Sequence, residues 1–191
     1  MTPGESSLCT ADINLAAALL SVGIGPRRGE PVRLTASDNG RDYVQFMVDP
    51  CSPCGGYRAA DLMQAWGDSP AFHASYPDHP FSLLMKFIAD RPRGCSCLDD
   101  WLNHVARFLN LQIDVVRKTY KAIGSVCKAS PDTDISYLTA FVRNRISLID
   151  AAKRAQHTGH SHNMINHGPS MAVISEKLPK RARDFLTSQF K

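Results

Sequence analysis

The stretch VARFLNLQIDVVRKTYKAI, Val105 to Ile123, reads as the end of one helix, a sharp corner and the start of a second. In the first part, Val105 and Leu109 flank the region of a small residue, Ala106, which lets another helix approach closely. Asn110 falls where the backbone must turn left-handed to leave the helix, and asparagine tolerates positive φ best after glycine. Leu111 follows to pack under the corner. Ile113, Val116 and Tyr120 then recur at helical spacing as a stripe for burial, while Gln112, Asp114, Arg117, Lys118 and Lys121 point outward. Thr119 interrupts the stripe, and Asp114 has the wrong sign for a phosphate partner.

Over about twenty residues this pattern resembles a DNA-reading helix-turn-helix, whose second helix needs an apolar inner stripe and a polar outer face. The resemblance implies that Arg117, Lys118 and Lys121 contact phosphates and that Gln112 reaches a base edge. An ordinary pair of core helices shares the same spacing, because any helical hairpin carries apolar residues three and four apart. The charge distribution favours an anionic partner. Residues 107–128 hold Arg107, Arg117, Lys118, Lys121 and Lys128 against Asp114 alone, and residues 177–191 hold Lys177, Lys180, Arg181, Arg183 and Lys191 against Asp184 alone. The whole chain is only +4, so the remainder is net acidic and the positive charge is confined to two places. Arg181 and Arg183 belong to an amphipathic helix that would either track a nucleic-acid backbone or dock on the core through Phe185, Leu186 and Phe190.

Outward from the corner, the order of elements predicts an α+β fold. Thr10 and Asp12 suit the start of a helix over about 12–22, which Gly23 and Gly25 end. PVRLTAS and DYVQFMV flank Asn39–Gly40, a strong hairpin signal because both residues accept positive φ. Helices are expected in YRAADLMQAW (57–66), around AFHAS, in FSLLMKFIADR after Pro80, in LDDWLNHVARFL, and from SPDTD to about residue 156, capped by Ser130 or Asp132. HSHNMINH and MAVIS, divided by Gly168–Pro169, read as a second hairpin, and Pro179 opens a last helix. The expectation is a single domain over residues 1–191. Its two hairpins would form one small antiparallel sheet with helices on one face, and residues 94–130 would be a helical insertion.

No run reaches the roughly 18 apolar residues a membrane span needs. LAAALLSVGIG is short, and its basic pair, Arg27–Arg28, follows it, which is the wrong order for a secretory signal. Six cysteines are too few for a disulfide framework in a chain of 191 residues, so a cytoplasmic protein without a membrane partner is expected.

Cys51 and Cys54 in CSPCGG have the spacing and the glycines of a zinc knuckle, and Cys95 with Cys97 would complete four thiolates around a structural zinc. The second pair has the weaker spacing, and a strand-to-helix turn accounts for CSPC equally well. His157, His160, His162 and His167 crowd together without the glutamate of a metalloprotease motif. No GxSxG, phosphate-binding loop or dinucleotide fingerprint occurs, and no catalytic residues or other cofactor are expected. Asp99–Asp100 and Asp132–Asp134 sit at helix starts, where carboxylates cap. His79 in PDHPF reads as a turn residue.

Two function classes therefore stand side by side, with a structural zinc-binding protein as a further alternative. One is a small regulatory or accessory protein that binds double-stranded DNA through a helix-turn-helix-like segment at about 98–123. The other is a protein-interaction module of the kind found among phage and mobile-element accessory proteins, docking a partner through Tyr43, Phe46, Tyr57, Trp66 and Phe72. Phe46 and Trp66 also have core spacing.

Overall fold

A computed structural model describes residues 8–25, 32–36, 42–50, 53–54, 57–124 and 133–158. The expected second hairpin, the C-terminal basic helix, the Asn39–Gly40 turn and the caps Ser130 and Asp132 lie outside these residues. So do His160, His162 and His167.

The fold is α+β, with seven helices and a small antiparallel sheet among the described residues. The first described elements are β1 (Cys9–Thr10) and α1 (Ile13–Ser21). Asp12 caps α1 by accepting the backbone N–H groups of Asn14 and Leu15, and the Thr10 hydroxyl accepts the Asp12 N–H. Every residue from Leu15 to Ser21 is buried, so α1 is a core helix that needs no polar face. Gly23, at φ +95°, ends it: the Ile24 N–H reaches the Leu19 carbonyl and the Gly23 N–H the Leu20 carbonyl. This is the paired closure that a left-handed residue makes available.

The hairpin β2 (Val32–Ala36) and β3 (Asp42–Met47) follows, with Val32 opposite Phe46 and Leu34 opposite Val44. These four turn toward the core, whereas Tyr43 is exposed on the other face and Thr35 bonds Gln45 there. β1 pairs with the free side of β3, giving the order β1-β3-β2. A strand of two residues carries too little periodicity to be seen in sequence, which is why β1 was not anticipated.

CSPCGGYR departs from expectation as well. β4 (Pro53–Cys54) and β5 (Tyr57–Arg58) form a two-stranded ribbon, so Tyr57 belongs to a strand and α2 starts only at Ala59 (Ala59–Gly67). Asp61 accepts the Arg58 N–H and so sets that start. α3 (Ser69–Ser75) and α4 (Pro80–Ala89) then pack side by side. His79, the buried turn residue, caps α4 by accepting the Phe81 N–H on Nδ1.

α5 (Leu98–Phe108) and α6 (Ile113–Gly124) make the corner, and α7 (Thr133–Thr158) runs through the centre. At 26 residues α7 is about 39 Å long. Residues 135–142 are buried without a break, because α1, α5, α6 and the sheet surround that half of the helix. The small side chains Ala16, Ala17 and Ala18 let α7 lie close against α1. A polar pair within the contact is satisfied: Asn144 donates to the Ser21 hydroxyl, which donates to the Ala17 carbonyl. Among the described residues no helix is long and apolar enough to cross a membrane.

Candidate nucleic-acid interface

Asp100 starts α5. Its carboxylate accepts the backbone N–H groups of Ser96 and Cys97, and these bonds hold its pKa down at about 2. Trp101, Leu102, Val105 and Ala106 face the core, and His104 joins them. The His104 ring stacks on Phe87 at 4.2 Å, and its Nε2 lies 2.7 Å from the Phe87 carbonyl oxygen. A carbonyl only accepts, so Nε2 carries the proton and Nδ1 accepts from Arg107 at 2.9 Å. Burial lowers the His104 pKa, and the neutral ring locks α5 to the end of α4. No sequence pattern singled out His104. Only the stacking on Phe87 identifies it.

Asn110 makes the corner at φ +53°, the one non-glycine residue with positive φ among those described. The Leu111 N–H reaches the Ala106 carbonyl at 2.8 Å, and the Asn110 N–H reaches the Arg107 carbonyl at 3.1 Å. Asparagine thus performs at the end of α5 what Gly23 performs at the end of α1. Leu109 and Leu111 pack against the core beneath the turn. The Gln112 carbonyl then accepts the Val115 and Val116 amides in the first turn of α6.

α6 is held from below by Val116, which is fully buried, and by the partly buried Ile113 and Tyr120. Thr119 is buried too, and its place in the apolar stripe is explained by its hydroxyl, which donates to the Val115 carbonyl one turn back. Arg143 of α7 lies 5.4 Å above the Tyr120 ring and donates to the Tyr120 carbonyl. α5, α6 and α7 pack pairwise, so the direction of α6 is set by two neighbouring helices.

The outer face of α6 displays Gln112, Asp114, Val115, Arg117, Lys118 and Lys121, all exposed. Lys118 and Lys121 have no ion-pair partner among the described residues. Arg117 lies 3.4 Å from the Asp99 carboxylate of α5, with both side chains well exposed. Such a surface pair is worth little and exchanges readily with solvent ions or another anion. Val115, 45% exposed, was missed in the sequence because an apolar residue there looks like a stripe position. It lies instead on the flank away from Val116.

The remaining sequence candidates fare differently. Arg181 and Arg183 lie outside the described residues, as do Cys51 and the Cys54 side chain. Cys95 is half-buried and Cys97 exposed, both with free thiols. Among the described residues no three metal-ligating side chains group together. His157 is exposed at the end of α7. The apolar docking patch is corrected: Phe46 and Phe72 are buried, and Trp66 packs against the core with its indole N–H donated to Asp12. Phe46 faces inward because its register opposite Val32 places it on the helix-covered side of the sheet. Phe72 is enclosed by Tyr57, His79 and Phe81, which meet it edge-to-face, and by Tyr76, whose ring is tilted against it. Comparison of the chain with protein-family models, with curated proteins and with solved structures returned no match.

Proposed function

We propose that the chain is a small DNA-binding regulatory or accessory protein that lays the outer face of α6 in the major groove of double-stranded DNA. The observation that carries this reading is the closed turn at Asn110. It anchors α6 on α5 and α7 through Val116, Thr119 and Tyr120 while leaving a cationic face exposed. A helix of 12 residues is about 18 Å long and fits a groove about 12 Å wide.

In this reading Arg117, Lys118 and Lys121 bind phosphates and set the position of the helix, and Arg181 and Arg183 add backbone contacts. Gln112, at the start of α6, reaches a base edge, where an amide pairs with adenine. Asp114 near it accepts from a cytosine amino group, and Val115 meets a thymine methyl group. An acidic side chain on the face is thereby used for base reading, away from the phosphates.

The test is binding to mixed-sequence duplex DNA over a range of salt concentrations. The parent protein is expected to bind with a steep salt dependence. The Lys118→Glu/Lys121→Glu variant should weaken binding at low salt and reduce the slope by about 2, with its urea midpoint unchanged. Salt-insensitive or absent binding by the parent ends the proposal, and capture of a protein that survives nuclease treatment favours the interaction module.

A further inference from the structure

Two guanidinium groups converge on one buried indole where α1, α5 and α7 meet. Arg145 of α7 lies 4.5 Å from the Trp101 ring centroid, and Arg91, in the segment joining α4 to α5, lies 5.7 Å from it. Trp101 is fully buried. A cation above an indole gains a modest electrostatic attraction, but the ring leaves the N–H donors of the guanidinium unsatisfied.

The usual partners of these arginines are engaged elsewhere or missing. Arg145 donates through Nε to Asn14 Oδ1 at 2.9 Å, while its Nη1 is buried with no hydrogen-bond partner. Asp12, the acid that acts on Arg145, already accepts the Asn14 and Leu15 amides and the Trp66 indole. Asp100 is occupied by the Ser96 and Cys97 amides. Neither Arg91 nor Arg145 lies within ion-pair distance of a carboxylate among the described residues. Burial, and then the charge of Arg91, weaken the hold of Arg145 on its proton. Cys95 sits within the field of both arginines, yet burial keeps its thiol above its ordinary pKa. It stays a neutral thiol and does not supply the missing negative charge. Two like charges act on the same indole, and the buried unpaired donor of Arg145 is costly for a fold to maintain without a partner.

We propose that Arg91 and Arg145 form a binding site for a phosphate-class dianion, either free phosphate or a phosphomonoester. The half-buried guanidinium of Arg145, whose Nη1 lacks a partner, and the exposed fork of Arg91 would donate to its oxygens beside Trp101. A dianion matches two guanidinium charges, and planar forks with several donors suit a tetrahedral oxoanion. Asn14 orients the Arg145 plane, and Arg91 stands at the surface beside it. The site uses none of the outer residues of α6, so it stands whether or not the chain reads DNA.

The experiment is calorimetric titration of the full chain with inorganic phosphate and, separately, with phenyl phosphate, against sodium chloride at equal ionic strength. Saturable binding at one site is expected, together with a phosphate-specific rise in melting temperature. Binding of phosphate alone identifies the free ion, and binding of phenyl phosphate as well extends the site to monoesters. Arg91→Ala removes an exposed side chain and should lower the affinity at least tenfold while melting, without phosphate, at or above the parent temperature. Arg145→Lys keeps the charge but loses the fork, and should lower the affinity to a similar extent. Phosphate effects no larger than those of chloride, or full affinity retained in Arg91→Ala, overturn the proposal.

Discussion

Asn110 is the residue on which the direction of α6 depends, and a pair of substitutions there separates backbone conformation from side-chain contact. Asn110→Gly keeps access to φ +53° and should change stability by no more than about 0.5 kcal/mol. Asn110→Val meets one of two costs. If the backbone keeps its left-handed turn, the steric cost for an L-residue is about 1–2 kcal/mol, and valine's branched Cβ falls at the upper end. If the turn rearranges instead, the Leu111 to Ala106 and Asn110 to Arg107 bonds are lost, each worth about 0.5–1.5 kcal/mol net. Both routes give a destabilisation of about 1–3 kcal/mol. With a urea m-value of about 2 kcal/mol/M, the midpoint should fall by roughly 0.5–1.5 M. Equilibrium urea unfolding followed by circular dichroism measures this directly. The valine variant should also lose more DNA affinity than the glycine variant, because a shifted α6 no longer aligns Gln112 with Lys118 and Lys121. Equal midpoints for the two variants would refute the argument, since they would mean that positive φ at this position costs nothing.

Two further outcomes follow from the geometry. His79 is buried while capping α4, and burial lowers its pKa to about 4, so the folded ring stays neutral where the unfolded one titrates near 6.5. The stability it protects is therefore complete above pH 6.5 and is lost as the pH falls toward about 4, by roughly 3 kcal/mol. His79→Asn keeps a capping oxygen and should show a flatter dependence in urea midpoints between pH 8 and 4, whereas parallel profiles would reject the assignment. Asp99→Asn removes the acid that faces Arg117 and should tighten duplex binding by up to about fivefold. The same change should cost less than about 1 kcal/mol of stability at the α5 N-terminus. An unchanged affinity would remove Arg117 from the phosphate contacts.

Features that depend on a few neighbouring residues were legible in the chain itself. Asp12 before an apolar run, Gly23 after it, Asn110 between two helical stripes and Pro80 at a helix start each act within about five residues. Their backbone conformations and hydrogen bonds are local, and the chain adopts them where they were expected. The alternation in β2 and β3 was legible for the same reason, since a period of two assigns Val32, Leu34, Val44 and Phe46 to one face.

Tertiary structure alone decided what those faces meet. That β1 extends the sheet depends on a segment distant in sequence, and that Phe72 is enclosed by other rings depends on how β5, α3 and α4 pack together. Arg91, Trp101 and Arg145 carry no shared spacing, and the two arginines read as ordinary surface charges until α4, α5 and α7 bring them to one indole. The pairing of Arg117 with Asp99 across two helices is of the same kind. Periodicity specifies which side of an element avoids water, whereas the choice of partner on that side is settled by chain closure and close packing across the whole core.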